Sequence, residues 1–127
     1  MQKHAAWLLE RYPALEDIDR IDGIRYCGMR LMDVAGELKD FSDTAALISC
    51  LDLVVTIDTA VAHLAGALGK PVWTLTHWPP DWRWQLGRED SPWYPTMRLF
   101  RRTKVDTWSD VVLRVRQALQ RWATQRT

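Results

Sequence analysis

The chain has 127 residues, 47% of them hydrophobic and 26% charged, with 17 Lys and Arg against 16 Asp and Glu. That length suits one respectable core and falls short of a two-lobed enzyme, while a net charge of +1 argues against a general binder of nucleic acid or anionic membranes. No apolar run is long enough to span a bilayer. A cytoplasmic protein is expected, in which Cys27 and Cys50, outside any metal-ligand spacing, are small buried hydrophobes of a reducing compartment.

Residues 1–22 read as an N-terminal helical extension. A helix from Lys3 to Arg11 ends at Tyr12-Pro13, because the residue before proline is pushed out of helical geometry. The role of this segment is open: a remnant of a lost lobe, a new start after truncation, or a helix packed on the sheet. Residues 23–127 are then the domain proper. Ile24 to Cys27 and Leu31 to Val34 are candidate strands, and Gly36 resets the backbone. A helix follows from Phe41 and Ser42 through Leu51, with Ser42 or Asp43 as cap and Ala45, Leu47, Ile48 and Leu51 available for burial.

Leu53 to Ile57 is a continuous run of branched apolar residues, expected as a central parallel strand covered on both faces. Asp58 or Thr59 then caps a helix whose apolar stripe is Val61, Leu64, Ala65 and Leu68, and Gly69 with Pro71 supplies the stop signal. Pro71 to Leu75 resumes as a strand, so the unit is β-α-β, with a right-handed parallel crossover. Ligands of open α/β sheets bind outside the carboxyl ends of the strands, which here means Asp58-Thr59. The amides of Thr59, Ala60 and Val61 open a helix without intrahelical acceptors, and with the helix dipole they can hold a phosphate or another anion. Ala60 and Ala62 admit close approach. Asp58 would repel a phosphate and is better suited to capping or to meeting a sugar hydroxyl. An ordinary βα turn with an ordinary cap is the alternative. His63 lies off the stripe, free to face either the ligand turn or a neighbouring loop.

Past Leu75 the chain becomes dense in rings and prolines. Trp73, Trp78, Trp82, Trp84 and Trp93 all precede Pro95, out of eight tryptophans in total. So much aromatic surface must pack, stack on a ligand or meet a partner. Asp81, Arg83, Arg88 and Ser91 alternate with the rings and favour a site wall, against the alternative of a loop stiffened by its own Trp and Pro residues. His77 faces the same cleft or caps this loop. Met97 to Arg101 reads as the last strand. Thr107 to Asp110 resembles a capping box, and it opens a helix with Trp108, Val111, Val112, Val115, Leu119 and Trp122 along one core-facing stripe. No tetratricopeptide period is present.

The stretch DTAVAHLAGALGKPVW resembles the donor-site motif of the heptosyltransferase-like glycosyltransferases, glycosyltransferase family nine. PDWRWQLGREDSPWYPTMRLFR is similar to the branch of these enzymes attached to tetratricopeptide repeats, and together the matches span residues 33–122. The resemblance implies an α/β, Rossmann-like fold with a mainly parallel sheet flanked by helices, corresponding to the C-terminal lobe of a GT-B glycosyltransferase. It also implies that Asp58, Thr59, Ala60, Val61 and His63 stand at the diphosphate of a nucleotide-sugar donor. Trp82, Arg83, Trp93, Tyr94 and His77 would then wall the sugar or base. Ala60 stands where the family often has Gly, adding a methyl to the approach of the phosphate. In the family the base that deprotonates the acceptor comes from the N-terminal lobe, so the chain is expected to bind a nucleoside diphosphate sugar and to be incomplete as an enzyme of inverting hexosyl or heptosyl transfer. Neither a metal nor a cofactor is implied, since backbone amides can neutralise the diphosphate. The expected protein partner is a second copy of the chain or a separate acceptor-lobe protein. A non-catalytic binding or interaction module of the same fold is the competing reading.

Overall fold

A computed structural model describes residues 34–126. The helix expected at Lys3 to Arg11, the strand at Ile24 to Cys27, Cys27 itself and the boundary between residues 22 and 23 lie outside this range, as does nearly all of the strand expected at Leu31 to Val34. Residues 34–39 contain a 3-10 turn at Ala35–Glu37, and Asp40–Thr127 forms a compact unit of its own.

That unit opens with α1, Phe41–Cys50, whose N-cap is Asp40 rather than Ser42 or Asp43. The reason is conformational. A cap residue is extended, as Asp40 is at φ −150° and ψ −179°, and its carboxylate accepts the Asp43 amide at 2.9 Å, whereas Ser42 and Asp43 are already inside the helix. Ile48 is buried on the core side. Cys50 is exposed, contrary to expectation, because two residues beyond Ile48 the helix has turned to its opposite face.

Three parallel strands follow: β1 (Val54–Ile57), β2 (Val72–Thr76) and β3 (Met97–Arg101), ordered β1-β2-β3. The centre is therefore β2, and β1, expected there, is the outer strand among the described residues. Its Val55 and Ile57 are 45% and 57% exposed, so the covering of both faces read from the sequence applies to β2, where Val72, Trp73, Thr74 and Thr76 are all buried. The register pairs Val54 with Val72 and Val72 with Met97, and at the carboxyl ends Ile57 with Leu75 and Thr76 with Arg101.

Side chains alternate across the sheet, and the two faces carry separate cores. On one face Ile48 of α1 and Ala62 and Ala65 of α2 (Ala60–Ala67) meet Val54, Val72, Met97 and Leu99, together with Trp84 from the loop after β2. On the other, Val111 and Ala118 of α3 (Trp108–Arg126) pack with Trp73 and Phe100. Both helices bury most of their expected stripes, with Leu68, Trp108 and Val112 left out and Ala62 and Ala118 taken in. In α2 the buried residues are Ala62, Ala65 and Gly66, with Val61 and Leu64 half-buried and Leu68 at 42% exposure. Small side chains let the helix backbone lie close to the strands, which large ones on the same face would prevent. In α3 Val111, Val115, Ala118, Leu119 and Trp122 face the sheet, while Trp108 and Val112 are left exposed. The capping box forms: the Asp110 amide donates to the Thr107 hydroxyl at 3.3 Å and the Thr107 amide to the Asp110 carboxylate at 2.8 Å. The Thr107 amide, followed by its hydroxyl, holds the Asp110 carboxyl below its ordinary value. No helix among the described residues is long and apolar enough to cross a membrane.

Candidate functional site

At the carboxyl end of β1 the chain passes through half-buried Asp58 into exposed Thr59 and Ala60, and α2 begins. Thr59 is the N-cap, extended at φ −142° and ψ 175°, yet its side chain makes no capping hydrogen bond, contrary to expectation. The hydroxyl turns back instead, 3.4 Å from the Ile57 carbonyl oxygen and 3.4 Å from the Thr56 hydroxyl. Among the described residues no side chain caps the first turn of α2, and the free amides of such a turn carry partial positive charge.

His63, one turn along, faces the neighbouring loop. Its Nδ1 lies 2.9 Å from the Tyr94 hydroxyl, and its ring stacks on Trp84 with centroids 5.2 Å apart and planes 24° from parallel. The Tyr94 ring reaches this place by crossing α2 at Gly66, where a β-carbon would stand 2.5 Å from Tyr94 Cγ. His63 thus joins α2 to the tryptophan loop, which is the second of the two orientations open to it from sequence.

The loop is fastened at several points. Asp81 caps the 3-10 turn Trp82–Trp84 by accepting the Arg83 amide, and it pairs with the Arg83 guanidinium at 2.9 Å. These contacts, the amide first, hold the Asp81 carboxyl below its ordinary value, with a smaller electrostatic contribution from His63. The Arg83 guanidinium lies 5.0 Å from the centroid of the Trp82 ring. Ser91, buried, accepts the amides of Trp93 and Tyr94, and the Trp93 indole N–H donates to the Arg83 carbonyl at 2.9 Å. Trp82 and Trp93 present their rings outward at 71% and 57% exposure, whereas Trp84 is fully buried. His77 is exposed one residue past β2, ahead of the cis Trp78-Pro79 bond.

The structure therefore brings His63, Tyr94, Trp84 and Asp81 to one place and puts Trp82, Arg83 and Trp93 on a single turn system. Tyr94 is taken up in packing and Val61 joins the partly buried residues on the core. Sequence reasoning missed Trp84, Gly66 and Arg101 as residues that build this arrangement. The parity of β3 carried a signal for Arg101, since Met97, Leu99 and Arg101 share the face that packs against α2. Among the described residues no group of three His, Cys, Asp or Glu could hold a metal ion.

A parallel sheet with helices on both faces, and a strand-to-helix turn opening at its carboxyl edge, defines a small Rossmann-like α/β protein. Within that class the sequence matches glycosyltransferase family 9 (heptosyltransferase) over residues 12–85, and the chain belongs to that family. The match begins inside the segment read as an extension and ends in the tryptophan loop. Over 84 residues, 66% of the chain, it is 39% identical to Protein FlbA of Caulobacter vibrioides, and it covers 14% of that protein's length. No solved structure matches significantly.

Proposed function

We propose that this chain is the donor-binding lobe of an inverting glycosyltransferase of the GT-B kind, holding the diphosphate of a nucleotide sugar at the turn from β1 into α2. The observation that carries this reading is the uncapped N-terminus of α2 at the carboxyl end of β1, occupied by the residues that resemble the family's donor motif. Thr59, Ala60 and Val61 supply amides to the diphosphate, Asp58 meets a sugar hydroxyl, and His63 lines the loop side of the cleft. Trp82, Arg83 and Trp93, with His77 at the end of β2, form the wall for sugar or base. The base for the acceptor would come from an N-terminal lobe, so the 127 residues alone should bind a donor and release no nucleoside diphosphate from it. Membership of the tetratricopeptide-linked branch, a cytoplasmic location and a homodimeric or two-chain assembly belong to the same reading.

Titration with a panel of nucleoside diphosphates, followed by amide NMR, tests the site. Shifts concentrated at Thr59 to His63 are the expected result, and shifts confined to other regions would place the site elsewhere. Trp82→Ala and Trp93→Ala test the wall with nucleotide sugars. Both rings are largely exposed, so the melting temperature should move little, while affinity should fall about tenfold, in line with ring stacking of about 1–3 kcal/mol. Unchanged affinity in the folded variants would assign both rings to other work. The competing reading, a non-catalytic interaction module, predicts no response to any nucleotide sugar.

A further inference from the structure

Arg101 ends β3 on the same face of the sheet as Met97 and Leu99, in register with Thr76 at the end of β2. Its guanidinium reaches across to the tryptophan loop. Nε donates to the Arg88 carbonyl at 2.6 Å, one terminal nitrogen to the Gln85 carbonyl at 2.7 Å, and the other to the Trp84 carbonyl. Burial, with the Arg88 charge as a second cause, pushes the Arg101 pKa down. A partly desolvated guanidinium held by three carbonyl oxygens is a rigid clamp, because its planar fork fixes all three acceptors at once.

What it clamps is a strained turn. Gln85 sits at φ 55° and ψ −162°, a region that side-chain-bearing residues rarely enter and that persists only where surrounding contacts enforce it. This turn follows directly on the 3-10 turn that carries the outward Trp82 ring and the inward Trp84 ring, and Trp84 stacks on His63 in α2. A contiguous path thus runs from Arg101 through Trp84 to the helix that opens at the β1 turn.

We propose that Arg101 is a positioning residue for donor binding: without touching the ligand, it sets the place of the aromatic wall and of His63 by holding the Trp84–Arg88 turn in its strained form. This rests on the donor-binding reading given above. Arg101→Gln keeps a polar group and loses the fork. Arg101→Lys keeps the charge and cannot span three carbonyls. Arg98→Gln serves as control, since Arg98 lies over Phe100 and Trp73 on the opposite face.

The experiment measures three things on each protein: affinity for the nucleoside diphosphate or nucleotide sugar that binds the wild type, melting temperature, and the NMR shifts of the His63 ring and the Trp93 indole N–H. Arg101→Gln should bind about tenfold more weakly, as expected for loss of hydrogen bonds from a charged group, with both NMR signals displaced. Arg101→Lys should fall between it and the wild type, and Arg98→Gln should bind as the wild type does. If Arg101→Gln does not fold, the Lys variant carries the same comparison. Wild-type affinity and unmoved His63 and Trp93 signals in a folded Arg101 variant would overturn the proposal and leave the donor site standing. Failure of the wild type to bind any of the panel would overturn the donor reading, and this inference with it.

Discussion

Trp84→Ala should unfold or nearly unfold the domain. The Trp84 ring is completely buried among Ile48, Val54, Ala62, Val72, Met97 and Leu99, and removing a buried Trp side chain costs about 3–5 kcal/mol through lost burial and the cavity left behind. Small domains hold only about 5–15 kcal/mol in total. The same truncation two residues earlier, Trp82→Ala, removes a ring that is 71% exposed and should change stability by about 0.5 kcal/mol or less. Trp84→Phe separates the ring from its N–H. Among the described residues the buried indole nitrogen has no hydrogen-bond partner, a state that costs about 1–3 kcal/mol, so phenylalanine gives up volume while relieving that cost and should lose much less than alanine. Denaturant titration of the three variants is the measurement. A Trp84→Ala protein within about 1 kcal/mol of the wild type would show that the ring is not the centre of this core.

The order of elements from α1 to α3 was legible in the sequence because each carries its own local signal. A branched apolar run marks β1, Gly69 and Pro71 stop α2 and let β2 resume, and Thr107 with Asp110 opens α3. Faces were harder to read. Periodicity weighted by hydrophobicity selects Val61, Leu64, Ala65 and Leu68; of these Ala65 is buried and Val61 and Leu64 pack on the core, but Leu68 is exposed and the small Ala62, outside the stripe, is fully buried. Close approach of backbones, which has no hydrophobic signature, decided that face. Similarly, the composition of Val54–Ile57 says that it is a strand and not which neighbours it has; its outer position follows from β3 pairing with β2. At the candidate site the turn itself was readable, since family resemblance and strand-end position agreed on Asp58 to Val61. The partners of His63 were not, because Trp84 and Tyr94 lie some 20 and 30 residues away along the chain, and nothing local distinguishes Trp84 from Trp82. Arg101 was hidden for the opposite reason: a charged residue at a strand end ordinarily reads as solvated.

Gly66→Ala should destabilise the fold even though alanine is the better helix former. In an unconstrained helix interior the exchange would gain about 1 kcal/mol. Here the new β-carbon would stand 2.5 Å from Tyr94 Cγ, 2.7 Å from Cδ1 and 3.0 Å from Cβ, all at the root of the ring, where no rotation of its far end gives relief. Either α2 lifts from the loop or Tyr94 withdraws. Overpacking of this kind costs about 1–3 kcal/mol, occasionally more, and with contact this close at three atoms the upper part of that range applies, outweighing the helix gain. Withdrawal of Tyr94 would also break its hydrogen bond with His63 and loosen the turns that Ser91 holds. A double-mutant cycle isolates the clash: Tyr94→Ala alone loses the ring, and Gly66→Ala added to it should then be neutral or stabilising, since the obstructing atoms are gone. Melting temperatures of the four proteins decide the matter. If Gly66→Ala destabilises the Tyr94→Ala protein as much as it does the wild type, the glycine answers to something other than the Tyr94 ring.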